Sequence, residues 1–151
     1  MIECKFEKGD IAQLRHAVVD AVIIDKNKIL LTKRADKLRE NGKWSLPGGF
    51  VEHGETTSEA VMREVLEEVG YTSVVEDLLT IIDKPNRKSD DRQNISFAFV
   101  IKLIKKVSEP DSEEVSEVKW FDINKLPSEK EIAFDHLEII WHYIDQVEEL
   151  T

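Results

Sequence analysis

Glu64, Glu67 and Glu68 are spaced three and four residues apart, which places their carboxylates within about 100° of one another on an α-helix. The same helical wheel puts Met62, Val65, Leu66 and Val69 on the other side, giving one apolar face and one carboxylate face. Like charges at i,i+3 and i,i+4 cost a helix roughly a few tenths of a kcal/mol each. A lysine at one position would remove that cost, so the pattern points to chemistry that needs the charge. Residues 52–68 hold Glu52, Glu55, Glu59, Glu64, Glu67 and Glu68 against Arg63 alone, half of the chain's net charge of −10. Hard oxygen ligands converging from one helix suit Mg²⁺, with Mn²⁺ as the alternative, and leave coordination positions for water and a substrate phosphate. His53 has no second His or Cys at a zinc spacing, so zinc is not expected. For the three glutamates alone, the competing reading is a solvated acidic face.

Several elements must position these groups. Thr56 and Glu59 stand in the S/T-x-x-E relation of a capping box, and Gly70 lies where a left-handed cap would end the helix. Gly48, Gly49 and Gly54 permit turns that would let a main-chain carbonyl face the carboxylates. Upstream, AVVDAVII and KILLT flank Asp25-Lys26-Asn27-Lys28 and read as a β-hairpin. Trp44-Ser45-Leu46 is then a very short strand that Pro47-Gly48-Gly49 breaks. Downstream, two strand-forming runs flank a long polar loop at 83–94, and the second ends near Ser108. An acidic stretch at 109–117 precedes a short strand at 118–121. From Ala133 onward, Leu137, Ile140, Trp141, Ile144 and Val147 mark an amphipathic helix. Strands, helix, strands and helix make an α/β chain with a mixed sheet flanked by helices.

With 151 residues the chain fits a single domain over 1–151. A net charge of −10 and a pI near 4.9 argue against nucleic-acid and membrane partners, which require a basic stripe. An acidic chain that handles phosphates needs a metal cation. No apolar run approaches the roughly 18 residues of a membrane helix. The lone Cys4 has no intramolecular disulfide partner, and the first residues lack an apolar signal core, so cytoplasmic residence is expected.

Residues 49–71, GFVEHGETTSEAVMREVLEEVGY, resemble the Nudix box, G-x5-E-x7-R-E-U-x-E-E-x-G-U with U a bulky aliphatic. Gly49, Glu55, Arg63, Glu64, Glu67, Glu68 and Gly70 match every fixed position, and the one departure is Tyr71 at the closing aliphatic site. The resemblance extends through residues 42–48 and, more weakly, to the end of the chain. It implies an α/β/α sandwich and hydrolysis of a nucleoside diphosphate linked to another moiety. It further implies that Glu64, Glu67 and Glu68 are metal ligands, one of them serving as base. Arg63 would orient a neighbouring glutamate, and the Gly48 carbonyl would complete the metal shell. A further carboxylate from a later loop falls to Glu113 or Glu114, with Asp111 and Glu117 nearby.

The partner implied is a small-molecule nucleotide. Residues 133–136 and the loop segment 87–92 are similar to those of ADP-ribose pyrophosphatases, and the loop carries the cations Lys84, Arg87, Lys88 and Arg92, which makes ADP-ribose or a related nucleotide sugar the expected substrate. The four cations would close over the second phosphate and terminal ribose. Arg34 would join a local basic patch with Arg15, Lys33 and Lys43, and Trp44 or Trp120 would stack on a base. An oxidised nucleoside triphosphate pyrophosphatase is the runner-up, followed by a non-catalytic nucleotide-sensing module. A homodimer is left open.

Overall fold

A computed structural model of the chain describes residues 1–88 and 91–150. Two strands, β1 (Ile2–Lys5) and β2 (Ile11–Leu14), pair antiparallel in a small sheet of their own. The sequence reading misses them, because four residues of mixed polarity carry too little pattern. The expected hairpin follows as β3 (Ala17–Asp25) and β4 (Lys28–Arg34). Its strands pair only next to the turn, at Ile24 with Ile29 and Asp25 with Lys28, and then splay apart.

The fork is filled by the segment after β4. There β5 (Trp44–Ser45) pairs with β4 through Thr32 and Lys33, and β6 (Gly48–Phe50) pairs with β3 through Val18, Val19 and Asp20. Pro47 interrupts the strand but does not end it, so the expected break is a step from one side of the fork to the other. α1 (Thr57–Val69) has the reciprocal Thr56–Glu59 capping box and ends at Gly70 with φ 80°. β7 (Tyr71–Ile82) and β8 (Ile95–Lys106) are antiparallel, and β8 runs parallel to β3. β9 (Val115–Asp122) pairs with β4 and starts inside the acidic stretch, earlier than expected. α2 (His136–Glu149) starts later than expected, because Ala133 is still tied to Trp44 by an N–H···O bond of 2.8 Å.

Alternation along β3 sets the layers. Val19, Ala21 and Ile23 pack with Leu30, Phe99 and Ile101 against Ala60, Val61, Val65 and Val69 of α1. Val22, with Ile29, Leu31, Leu46 and Ala98, packs against Ile139 and Ile140 of α2. The result is the expected α/β/α sandwich around a mixed sheet. The expected position of α1 needs rotation. Leu66 is exposed, whereas Glu64 and Glu68 are buried beside the core stripe. Among the described residues no helix is long and apolar enough to cross a membrane.

Gly70 caps α1 under steric constraint as well as at positive φ. A Cβ there would meet the Ser108 carbonyl oxygen at 2.1 Å. Gly70→Ala should therefore lower the unfolding free energy by at least about 1–2 kcal/mol, the usual cost of a left-handed non-glycine residue. Urea denaturation monitored by circular dichroism would read this, and an unchanged midpoint would contradict the cap assignment.

Candidate metal and active site

Three carboxylates meet where α1 faces β6. Ligand oxygens of Glu64, Glu68 and Glu114 lie within 4.8 Å of one another. Glu64 and Glu68 are one helical turn apart and point into the gap left by the two glycines of β6. A Cβ on Gly49 would fall 2.3 Å from Glu64 Oε1, so the absence of a side chain there makes room for that carboxylate. The Gly48 N–H donates to Glu68 Oε2 at 3.1 Å.

The third carboxylate comes from the loop after β8. Asp111 N–H donates to the Glu67 carbonyl at 2.8 Å, and Ala35 N–H donates to the Glu114 carbonyl at 3.0 Å, which ties this loop to α1 and to the end of β4. Asp111 Oδ1 accepts from the Glu113 N–H at 2.9 Å. Of the two loop acids left open by the sequence, Glu114 is the one that reaches the cluster, and Glu113 is outside it.

Arg63 holds the cluster's edge. Its guanidinium binds Glu55 through two bonds of 3.0 and 2.7 Å, Glu64 Oε1 at 2.9 Å, Glu67 Oε2 at 3.2 Å and the Phe50 carbonyl at 3.0 Å. The arginine brings Glu55 down to about 2 and is itself held more firmly protonated by these partners. Glu67 lies at the rim, half exposed, on Arg63 and not within the three-carboxylate group.

Burial pushes Glu64 up to about 6, with Arg63 opposing the shift. Glu68 is pushed up too, by burial and then by the Glu64 charge, while its bond from Gly48 acts the other way. Two buried carboxylates with raised pKa values, joined by a third, form a set of hard oxygen donors that a divalent cation would discharge. The donor set fits such an ion.

The cluster opens into a cavity of about 540 Å³, which Arg34, Arg87, Arg92, Phe134 and Gly48 also line. Arg34 donates from Nε to the Arg39 carbonyl at 2.7 Å, and its guanidinium stands 5.0 Å from the Phe134 ring. Burial lowers its pKa against the opposing pull of Glu68 and Glu114. Arg92 lies 5.5 Å from the Phe50 ring. Sequence reasoning passes over Phe50 and singles out Phe134 only as part of a resemblance. Phe134 adopts a positive φ of 53° just before α2, a backbone feature that the sequence does not display.

Other expected substrate groups fall elsewhere. Trp44 is 9% exposed and packs in the core, with its ring centroid 4.8 Å from that of Phe121 in an edge-on contact, so it offers no face to the cavity. Trp120 borders a different groove with Tyr71 and Lys106. Lys84 pairs with Glu138 at 2.6 Å and Lys88 with Glu129 at 2.8 Å. Arg87 grips both oxygens of Asp135 at 2.7 Å and holds the start of α2. Of the four expected loop cations, only Arg87 and Arg92 therefore reach the cavity wall. The expected loop also contains Ser89 and Asp90, which lie outside the described residues. Lys43 pairs with Glu40 at 2.6 Å, and Arg15 bonds the carbonyls of Asp83 and Gln93, so the expected basic patch dissolves into separate structural contacts.

The buried carboxylates predict the sign of a pH effect. Glu64 has a folded pKa of about 6, above the roughly 4.3 of an exposed glutamate, so between those values the folded state binds more protons than the unfolded state. Its contribution to stability is complete below the lower value and lost as pH rises through the upper one. In EDTA, Glu64→Gln should accordingly raise Tm at pH 7.5 and leave it nearly unchanged at pH 4. A lower Tm for the variant at pH 7.5 would contradict the raised pKa.

Comparison with known proteins gives a consistent set of matches. The NUDIX domain family matches residues 14–143. The ADP-ribose pyrophosphatase of Methanocaldococcus jannaschii is 42% identical over 127 residues, covering 83% of this chain and 71% of its own length. A Bacillus subtilis protein provisionally named 8-oxo-dGTP diphosphatase is 33% identical over 106 residues, covering 70% of this chain and 65% of its own length. Among solved structures, a UDP-X diphosphatase superimposes with a TM-score of 0.73 at 29% identity, covering 93% of this chain and 68% of that one.

Proposed function

The chain belongs to the NUDIX family and is a Nudix hydrolase, and from that premise we propose that it cleaves ADP-ribose or a related nucleotide sugar at the pyrophosphate. The products would be AMP and a sugar phosphate. The similarity to the archaeal ADP-ribose pyrophosphatase over 83% of the chain carries this choice of substrate. The cavity supports it by combining an acidic end with arginines and two aromatic rings, Phe50 and Phe134.

Glu64, Glu68 and Glu114, with the Gly48 carbonyl, are the groups we assign to hold Mg²⁺ or Mn²⁺, while Glu67, expected among the ligands, stands apart from them on Arg63. When bound, such an ion neutralises pyrophosphate charge, acidifies a water and stabilises the leaving oxygen. Arg63 keeps Glu64 and Glu67 oriented and Glu55 in place. Glu67, apart from the three clustered carboxylates, is the acceptor we assign for the proton of the water that attacks phosphorus. Arg34 and Arg92 supply positive charge along the cavity for phosphate, which the chain's net charge would otherwise repel. The phosphorus–oxygen bond to the leaving phosphate then breaks without a covalent enzyme intermediate. Cytoplasmic residence is the setting we propose for this activity.

A second reading, hydrolysis of oxidised nucleoside triphosphates, is favoured by the 33% identity to the Bacillus protein. Both reactions would use the same glutamates and differ in what the cavity holds beyond the phosphates. The deciding comparison is kcat/KM for ADP-ribose against 8-oxo-dGTP and ordinary dNTPs at fixed Mg²⁺. The proposal expects the higher value for ADP-ribose, and a tenfold or greater preference for triphosphates would overturn it. Glu114→Gln and Glu67→Gln should each lower kcat by about 10²-fold or more, as when a preorganised electrostatic group is removed. Glu113→Gln should leave kcat unchanged. Equal effects at Glu113 and Glu114 would refute the loop assignment.

A further inference from the structure

Asp20, Ser96 and His136 form a buried polar chain on the α2 side of the sheet, outside the glutamate cluster. Ser96 donates its hydroxyl proton to Asp20 Oδ2. His136 Nε2 lies 3.3 Å from Asp20 Oδ1. The other ring nitrogen, Nδ1, accepts the Leu46 N–H at 2.9 Å. An imidazole that accepts at Nδ1 carries its proton at Nε2, on the side of Asp20. Burial lowers the pKa of this ring, in keeping with a neutral imidazole that donates once and accepts once. These groups are 0–7% exposed, and Asp20 and His136 also border the cavity into which the glutamate cluster opens.

Leu46 is two residues from Gly48, and the link between them has little slack. Pro47 fixes its own φ, and its carbonyl accepts the Ala21 N–H at 2.7 Å. Gly48 is pressed onto β3, because a Cβ there would fall 2.0 Å from the Val19 carbonyl oxygen. The Gly48 N–H then reaches Glu68 Oε2 at 3.1 Å. A continuous path therefore runs from the imidazole, through Leu46 and Pro47, to the carboxylate at the centre of the cluster.

We infer that His136 is a positioning residue for Glu68: by holding the Leu46 N–H it sets the Gly48 N–H that orients this carboxylate for a cation. The inference rests on the cation-binding reading of the glutamate cluster. Direct hydrogen-bond partners of a metal ligand, as the Gly48 N–H is to Glu68, typically change metal affinity by about 10–100-fold when lost, so a displacement of that N–H relayed from His136 belongs at the lower end of this range. The Asp20 contact, in contrast, only fixes the tautomer and the ring plane.

Two substitutions separate these contacts. Asparagine places an oxygen at the level of the imidazole Nδ1, so His136→Asn retains an acceptor for Leu46 and loses the Asp20 contact. Glutamine places its amide at the level of Nε2, so His136→Gln retains a donor for Asp20 and loses the Leu46 contact. The experiment is a Mn²⁺ titration of native protein and both variants without substrate, followed by electron paramagnetic resonance of the free ion. His136→Gln should bind Mn²⁺ about 10-fold more weakly, and His136→Asn should stay near the native affinity. Equal losses in the two variants, or a larger loss in His136→Asn, would overturn the inference while native binding stands. No Mn²⁺ binding by the native protein would instead overturn the cation reading itself. Nitrogen-15 spectra of the native ring give a check that needs no variant: the proton belongs on Nε2, and finding it on Nδ1 would overturn the inference even if His136→Gln failed to fold.

Discussion

Two carboxylates one helical turn apart, Glu64 and Glu68, are held out of water with the oxygen of a third, Glu114, within 4.8 Å. Burial and mutual repulsion both disfavour their charged forms, so the site is a place of stored electrostatic cost. The surrounding structure offsets it in part. Arg63 shares its guanidinium among Glu55, Glu64 and Glu67, and the Gly48 N–H meets Glu68. What these partners leave uncompensated is the affinity for a cation that we assign to the site.

The splayed hairpin makes this arrangement possible. Were β3 and β4 paired along their whole length, no backbone could enter between them. Because they separate after Ile24 and Ile29, the segment from Trp44 to Phe50 fills the opening and brings two glycines against α1. Gly49 admits the Glu64 carboxylate and Gly48 permits the close approach to Val19. The same step explains why Pro47 is tolerated: its carbonyl is used by Ala21, and its missing N–H falls between β5 and β6.

Much of this was legible in local sequence. The capping box, the glycine cap, the β3–β4 turn and the carboxylate spacing each depend on residues within a few positions of one another. What was illegible depends on distant pairings. Lys84, Arg87 and Lys88 look like phosphate ligands until Glu138, Asp135 and Glu129, some forty to fifty residues later, are seen to take them. Trp44 looks available until Phe121 closes over it. A helical wheel likewise treats Leu66 as core, but the glycine floor under Glu64 rotates α1 so that carboxylates border the buried stripe. Glu114 could be chosen over Glu113 only once the turn at Asp111 was fixed to the end of α1.

A crystal grown with Mn²⁺ and measured near the manganese absorption edge tests the central assignment most directly. The account predicts an anomalous difference peak bounded by carboxylate oxygens of Glu64, Glu68 and Glu114. A peak only at other acidic residues, or a cluster whose carboxylates remain in contact with no ion at saturating Mn²⁺, would contradict it.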